Sequence, residues 1–325
     1  MIGILTALGA GCGSPSFLVT PVASEMRLDE MTVHRGKSWS AGKIAIIEVE
    51  GMLMNARASG LLQQGENSLS IFTEQLGHAA SDPEVKAIIL RINSPGGTVT
   101  TSDTMYEQLL RFKKQTNKPI IADFQEVAAS GAYYLACAAD KIVAHPTSVV
   151  GSIGVIFNTY DFQDTMGKIG MRAETIKSGE LKDMGSMYKK LTPEERAVMQ
   201  SMVDEYYARF LHVLKTSRPK LAAADEATFQ QATDGRVFSG QKAMEMGLVD
   251  EVGLLEDAIK MARRMTKSPG AAVVMYKRPY GYRGSIYADA SVPQPRANAD
   301  VLRLELPGSD GFPMLTNGFY FLWQP

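Results

Sequence analysis

The sequence lacks an excess of charge of either sign. Its 34 lysines and arginines stand against 35 aspartates and glutamates, which leaves a formal net charge of −1 over 325 residues. Proteins that bind nucleic acid through its phosphates carry a basic patch or a basic overall balance. The charge balance therefore argues against a nucleic-acid partner. The length of the chain allows one large domain or two small ones.

Cysteine is also scarce. The chain has two, Cys12 and Cys137, which are too few for a disulfide framework, and their spacing matches no metal site. Cys137 lies in the small apolar stretch LACAAD, which predicts a buried packing residue.

A long hydrophobic run is missing from the N-terminus. Residues 1–24 carry no charge, but glycines and prolines interrupt them well before the roughly 20 apolar residues that span a bilayer. The basic start of a secretory signal is absent as well. The stretch LGAGCGS is similar to a lipoprotein processing site, so a lipid on Cys12 is one hypothesis for a membrane tether. The other hypothesis is a disordered or truncated leader.

Beyond the leader, strands and helices are predicted to alternate. Short β-branched runs predict buried strands at 43–51, 85–93, 118–124, 141–145, 171–176 and 271–279. Apolar residues at helical spacing predict helices at 70–82, 101–115 and 161–170. A further helix should begin at Thr192, which forms a capping box with Glu195. This alternation indicates an α/β fold with βαβ units on a parallel sheet.

Small residues follow the ends of three predicted strands, in the loops NSPGG (93–97), AASG (128–131) and GSIG (151–154). Ligands of open α/β sheets gather outside the carboxyl ends of the strands. Ser130 at a helix start is a candidate nucleophile, although a plain helix cap is the alternative. The amides of Gly97 and Gly131 could point at one oxygen and form an oxyanion hole.

A nucleophilic serine needs a base, and the residues alone leave several candidates open. The chain has four histidines, of which His145 ends a predicted strand near Ser130. A lysine held neutral by burial is the other kind of base, and the stretch KSGELKDMGS offers Lys177 and Lys182.

The motifs INSPGG, AASGAYYLACAADKIVA, GSIGV, KSGELKDMGS, TPEER and DGRVFSGQKAMEMGLVDEVG occur in this order within residues 43–265. Together they resemble the SppA family of signal peptide peptidases, which are Ser-Lys serine proteases of the Clp-protease/crotonase-like superfamily. The resemblance implies a fold of repeated ββα units with a parallel sheet, plus a helical segment. It also suggests three parts, namely a leader or membrane tether at 1–42, a catalytic domain at 43–278 and a C-terminal extension at 279–325.

Carried over to this sequence, the resemblance implies that Ser130 is the nucleophile and that Lys182, rather than Lys177, is the general base. It further implies that Ser152 hydrogen-bonds the lysine amine and that Gly97 and Gly131 supply the oxyanion amides. Ser152 could instead be a turn hydroxyl that bonds its own backbone. No metal or cofactor is required.

The family's substrates imply that this chain cleaves hydrophobic peptides such as released signal peptides. Its single-domain members form rings, which would bring Lys182 of one subunit to Ser130 of the next. A membrane-associated enzyme with an extracytoplasmic, periplasmic active site would follow, and a soluble cytoplasmic or prophage-type relative is the alternative. From other function classes, a crotonase-like coenzyme A thioester enzyme and a non-catalytic membrane-protein scaffold remain open.

Overall fold

The computed structural model describes residues 28–36, 41–59, 64–278 and 318–324. The uncharged leader with Cys12 and most of the C-terminal extension lie outside these ranges, so the three-part division of the chain stays a prediction. Cys137 is free and buried, as its apolar neighbours predict.

The strands and helices follow the predicted alternation. The strands are β1 (Asp29–His34), β2 (Lys43–Glu50), β3 (Arg57–Ser59), β4 (Gln64–Asn67), β5 (Val85–Ser94), β6 (Gly96–Thr98), β7 (Ile120–Ala129), β8 (Lys141–Ala144), β9 (Val149–Gly151), β10 (Ile156–Asn158), β11 (Val237–Ser239), β12 (Glu251–Val252), β13 (Ala272–Lys277) and β14 (Gly318–Leu322). The helices are α1 (Ser68–Ser81), α2 (Val99–Thr116), α3 (Gly131–Ala136), α4 (Gln163–Lys168), α5 (Pro193–Ser217), α6 (Pro219–Ala222), α7 (Glu226–Thr233), α8 (Gly240–Glu245) and α9 (Leu255–Met265).

A nine-stranded, mostly parallel sheet forms the centre of the described chain. Its main path runs β1-β13-β2-β5-β7-β8-β12, and β9 joins the end of β7 and carries β11. The pairs from β13 through β12 are parallel, as is β7 with β9, whereas β1 and β11 pair antiparallel. The expected α/β fold with a parallel sheet is confirmed.

Both faces of the sheet are covered, which explains why its central strands are mostly apolar. Alternate residues of one strand point to opposite faces, so Ala45 and Ile47 join one core and Ile44 and Ile46 the other. Helices α1, α2, α3 and α5 contribute to the first core, and α9 covers the second.

The predicted strand at 171–176 is wrong. These residues form no regular element and are exposed, with Ile176 at 99% of full exposure. A β-branched run becomes a strand only where a neighbouring strand completes its hydrogen bonds. The predicted capping box is confirmed, because the Thr192 side chain accepts from the Glu195 amide and the Glu195 carboxylate accepts from the Thr192 amide.

Within the described ranges, no helix has both the length and the apolar character needed to cross a membrane. No cluster of histidine, cysteine and acidic side chains in those ranges is arranged to hold a metal ion.

Candidate active site

Ser130 occupies a sharp turn between β7 and α3. Its backbone angles are φ 53° and ψ −115°, a region that residues with a Cβ rarely adopt and that costs on the order of 1–3 kcal/mol. The side chain makes no helix-capping hydrogen bond, and its buried Oγ has no hydrogen-bond partner among the described residues. The helix-cap interpretation is therefore wrong, and the hydroxyl is left available for another role.

Main-chain hydrogen bonds fix this turn from two sides. The Ser130 amide donates to the Gly151 carbonyl at 2.7 Å, and the Tyr134 amide donates to the Ser130 carbonyl at 2.8 Å. Strands β7 and β9 run parallel there, with Ala129 opposite Gly151. The loops AASG and GSIG are therefore direct neighbours, as the sequence predicts from their place at strand ends.

Ser152 follows β9 and also has a left-handed backbone, with φ 49°. Its amide donates to the Arg236 carbonyl at 2.8 Å, and its side chain is mostly buried beside the Ser130 turn. A hydroxyl at this position can accept a hydrogen bond from an incoming amine.

The glycines 96, 97 and 131 bring the third loop to the same place. A Cβ added to Gly96 would lie 2.7 Å from the Gly131 nitrogen, and one added to Gly131 would lie 3.2 Å from the Gly97 nitrogen. The two predicted oxyanion amides are thus close together because neither residue carries a side chain. They lie where β5 and β7 end, next to Ser130.

Neither predicted lysine contacts Ser130. Lys182 is exposed, and no hydrogen bond or ion pair holds its amine within the described ranges. The Lys177 amine bonds the Glu180 carbonyl at 2.8 Å and the Asp183 carboxylate at 3.0 Å. Hydrogen bonds from Lys189 and Lys177 lower the pKa of Asp183 to about 2, which keeps it a permanent anion beside Lys177.

His145 is engaged elsewhere. Its Nδ1 lies 2.8 Å from the Thr147 hydroxyl and does not contact Ser130, so the two do not form a Ser-His pair here.

A cavity of about 410 Å³ opens beside the turn. Its lining includes Ser152, Ile153, Asp204, Tyr207, Asp234 and Leu322.

Sequence reasoning missed β14, the FYFLWQP region of the C-terminal extension. This strand pairs antiparallel with β6, so that Phe321 lies opposite Gly97. Its apolar residues indicate that it packs against other parts of the protein. Nothing in the local sequence, however, indicates that it pairs with a three-residue strand over 200 residues away.

The sequence matches the family model described as Peptidase family S49 over residues 112–268. The chain is 34% identical to a protein of Enterococcus faecium provisionally named signal peptide peptidase SppA, over 77% of this chain and 71% of the relative. It is 32% identical to Protease 4 of Salmonella typhi, over 70% of this chain and 35% of that longer protein.

The chloroplastic serine protease SPPA of Arabidopsis thaliana is also 32% identical, over 72% of this chain and 35% of its own length. These relatives favour a peptidase over a thioester enzyme or a silent scaffold, in agreement with the buried serine beside two glycine amides. The chain belongs to peptidase family S49 and is a serine peptidase with the Clp-protease/crotonase type of α/β fold.

Proposed function

We propose that this serine peptidase is an endopeptidase that hydrolyses hydrophobic peptides, such as released signal peptides, with Ser130 as nucleophile and Lys182 as general base. One observation supports this above all: the Ser130 hydroxyl is buried, has no hydrogen-bond partner in the part of the chain that the structure describes, and lies on a strained turn beside the amides of Gly97 and Gly131.

The reaction has two halves. Neutral Lys182 takes the hydroxyl proton while Ser130 Oγ bonds to the peptide carbonyl carbon, and the carbonyl oxygen becomes an oxyanion that accepts from Gly97 and Gly131. The C–N bond then breaks, and the lysine returns its proton to the leaving amine. In the second half, the neutral Lys182 amine takes a proton from water, which attacks the acyl ester. The ester C–O bond breaks, and the lysine returns the proton to Ser130 Oγ.

The base comes from a second copy of the chain. Among the described residues of one chain the Ser130 hydroxyl has no partner, whereas Lys182 stands exposed in the segment 159–191. That segment also exposes seven large apolar side chains, which is typical of a surface that another protein covers. They are Tyr160, Phe162, Ile169, Met171, Ile176, Met187 and Tyr188.

Association through segment 159–191 would bring Lys182 to a neighbour's Ser130, with Ser152 accepting a hydrogen bond from the lysine amine. Burial at such an interface also lowers a lysine pKa toward the range where the neutral amine is a base. A ring of identical subunits repeats this contact at every site. The monomer lacks the base and is inactive.

The preference for hydrophobic peptides rests on the surroundings of the turn. Strand β6 presents main-chain groups beside the two glycine amides, and an extended peptide can pair with it in the place that β14 holds. Side chains of such a peptide would contact apolar groups that include Met52 and Ile156. Released signal peptides are apolar and arise at membranes. The proposal therefore includes a membrane-associated enzyme with an extracytoplasmic active site. Its tether would be the leader or a lipid on Cys12.

The test is hydrolysis of a fluorogenic hydrophobic peptide by the wild type and by Ser130→Ala, Lys182→Ala and Lys177→Ala, each checked for assembly by light scattering. We expect the first two variants to assemble normally and lose activity, and Lys177→Ala to keep a substantial part of it. Activity in an assembled Lys182→Ala variant would show that the base is another group. A serine-reactive fluorophosphonate that labels the wild type at Ser130 separates nucleophile from base.

A further inference from the structure

The loop that carries Lys182 has no helix or strand to hold it. Between α4 and α5 the described chain forms only turns and irregular backbone. The Lys182 backbone amide donates to the Gly179 carbonyl at 3.1 Å, and the Met184 amide donates to the Leu181 carbonyl at 3.1 Å. These turns shape the loop but do not attach it to the rest of the fold. A general base needs such an attachment, because a misplacement of about 1 Å can cost about 10²-fold in rate.

An ion-pair network attaches this loop to helix α5. The Lys189 amine bonds the Asp183 carboxylate at 2.7 Å, and it also bonds the carboxylate of Glu195. Asp183 follows Lys182 directly in the chain. The Asp183 oxygen that accepts from Lys189 also accepts from the Lys177 amine at 3.0 Å. Lys189 is therefore the link between the loop and the helix, whereas Lys177 is a second partner within the loop.

The helix end of the network belongs to the main fold. Glu195 is the third residue of α5, and its side chain is only 2% exposed. Its other carboxylate oxygen accepts from the Thr192 amide at 3.0 Å in the capping box. Further along α5, Phe210 and Leu214 are buried in the first core. An amine bonded to Glu195 is thus held by an element that the core keeps in place.

The members of the network are charged at neutral pH. The hydrogen bond from Lys189 lowers the pKa of Asp183 to about 2 and also lowers the pKa of Glu195. The bonds to these two carboxylates raise the pKa of Lys189. Charge-assisted hydrogen bonds are stronger than neutral ones, so the bridge is suited to holding an irregular loop. Because Asp183 bonds Lys189 and Lys177, it is also kept from pairing with the amine of Lys182.

We propose that Lys189 is a positioning residue for the general base. By bridging Asp183 and Glu195, it holds the loop in the place from which Lys182 reaches the nucleophile. Lys189 does not touch the substrate and takes no part in proton transfer. This inference rests on the proposed function, which assigns the proton transfer to Lys182, and it adds the side chain that places that lysine.

The first test removes the bridge and then restores it. Lys189→Met keeps the apolar stem of the side chain but removes its charge. We expect kcat on the fluorogenic hydrophobic peptide to fall about 10–100-fold in the assembled enzyme. KM should stay within about twofold, because the base acts in the transition state and does not bind the substrate. Lys189→Arg can bond both carboxylates and should recover most of the lost activity.

Lys260→Met is the matched control. The Lys260 amine bonds the Asp257 carboxylate at 2.9 Å, and that carboxylate accepts from the Leu254 amide at the start of α9. Glu195 combines the same two contacts at the start of α5. Helix α9 covers the second core, away from the loop that carries the base. Lys260→Met should therefore keep the kcat and KM of the wild type. Circular dichroism and light scattering verify that every variant folds and assembles.

Glu195→Gln keeps the proposal testable if Lys189→Met fails to assemble. Glutamine can still accept from the Thr192 amide in the capping box, but it lacks the charge that pairs with Lys189. We expect a fall in kcat in the same direction, with KM unchanged. An assembled Glu195→Gln variant with the kcat of the wild type would overturn the proposal.

A double-mutant cycle separates positioning from a general structural role. Rates of labelling by a fluorophosphonate are measured for the wild type, Lys189→Met, Lys182→Ala and the double variant. If Lys189 acts through Lys182, its replacement slows the wild type but leaves the slow labelling of Lys182→Ala unchanged. Equal slowing in both backgrounds would show that Lys189 supports the subunit in general, and it would overturn the proposal.

The same variants distinguish failure of this inference from failure of the proposed function. Wild-type kcat in an assembled Lys189→Met variant, with Lys182→Ala inactive, overturns the positioning role and leaves the Ser-Lys mechanism standing. Activity in an assembled Lys182→Ala variant overturns the mechanism itself, and the positioning role then falls with it, because Lys182 is not the base.

Discussion

The amide of Ser130 donates a 2.7 Å hydrogen bond to the carbonyl of Gly151, and both residues have positive φ angles, 53° and 113°. The bond joins the turn that carries the hydroxyl to the loop that carries Ser152. Positive φ is free of cost for glycine but strained for serine. The hydrogen bond therefore helps to hold Ser130 in a conformation that the residue would not adopt alone.

Alanine usually gives a more stable folded protein than glycine at the same position, and this strain predicts the opposite at position 130. Ser130→Gly should be more stable than Ser130→Ala by about 1 kcal/mol, because relief of the strained φ outweighs the entropy that glycine gains in the unfolded chain. Urea denaturation followed by circular dichroism measures the difference. Ala132→Gly, one residue inside α3, is the control and should destabilise. A more stable alanine at position 130 would show that the turn is not strained.

Gly131 offers a test of the oxyanion site. A methyl group there would lie between the Gly97 nitrogen and the Phe321 carbonyl oxygen, at 3.2 and 3.0 Å, and would also contact the Ser102 hydroxyl. Removing the hydroxyl first, in Ser102→Ala, gives the methyl group room on that side. We expect Gly131→Ala in that background to lower kcat by at least about 10²-fold, because the methyl group fills the space of the oxyanion and keeps it from amides whose loss typically costs about 10²–10³ each.

Ser102→Ala alone is the matched control for Gly131→Ala and should keep its activity. Circular dichroism and light scattering confirm that both variants fold and assemble. A double variant with normal kcat would show that the site between the two amides does not hold the oxyanion. Gly97 is unsuitable for this test, since a Cβ there would collide with the backbone of Leu53 and disturb β6 itself.

Much of the fold can be predicted from the sequence because the central strands are locally consistent. The runs at 43–51 and 85–93 are β-branched and apolar, and they correspond to β2 and β5 within a residue. The three small-residue loops could be placed together as well. The loops follow strands β5, β7 and β9. These strands are adjacent and parallel, so the carboxyl ends of the strands meet at one edge of the sheet.

The rest depends on tertiary partners that leave no local pattern. The run at 171–176 has the composition of a strand, but no strand within the described ranges pairs with it. The run GFYFL, in contrast, pairs with Gly96–Thr98. The choice between Lys177 and Lys182 came from resemblance alone. The structure adds one difference between them: the Lys177 amine is paired with Asp183, whereas that of Lys182 makes no ion pair within the described ranges.

Complementation between variants tests whether the base comes from a second copy. Ser130→Ala and Lys182→Ala chains, each inactive alone, are mixed in equal amounts, dissociated and reassembled. If Lys182 serves a neighbour's Ser130, about a quarter of the sites in a random ring regain both groups, and activity returns to that fraction of the wild type.

If each subunit uses its own lysine, the mixed rings stay inactive. Such a result would contradict a site shared between subunits. The control is a mixture of Ser130→Ala with the double variant Ser130→Ala, Lys182→Ala. It contains no intact serine and should show no hydrolysis. Light scattering before and after mixing verifies that subunits exchanged and that the ring size did not change.

Asp123 predicts a pH dependence of stability that is independent of catalysis. It lies on β7, opposite Arg91 of β5, and one of its carboxylate oxygens is buried and finds no hydrogen-bond partner among the residues that the structure describes. Burial raises its pKa from the ordinary 3.8 to about 7, although a hydrogen bond from Gln125 and the charge of Arg91 act in the other direction. Between these two values the unfolded chain has lost the proton and the native chain keeps it.

Because the native state binds more protons in this window, the contribution of Asp123 to the free energy of unfolding falls as pH rises. The slope is at most about 1.4 kcal/mol per pH unit, and it levels off above the folded pKa. Asp123→Asn removes this titration. The free energy of unfolding of the variant should therefore rise relative to that of the wild type between about pH 4 and pH 7, and the two curves should run parallel outside that window. Urea denaturation in steps of one pH unit gives the two curves. Parallel curves throughout would show that the pKa of the carboxyl is the same in the folded and unfolded chain, so that Arg91 and Gln125 offset the cost of burial.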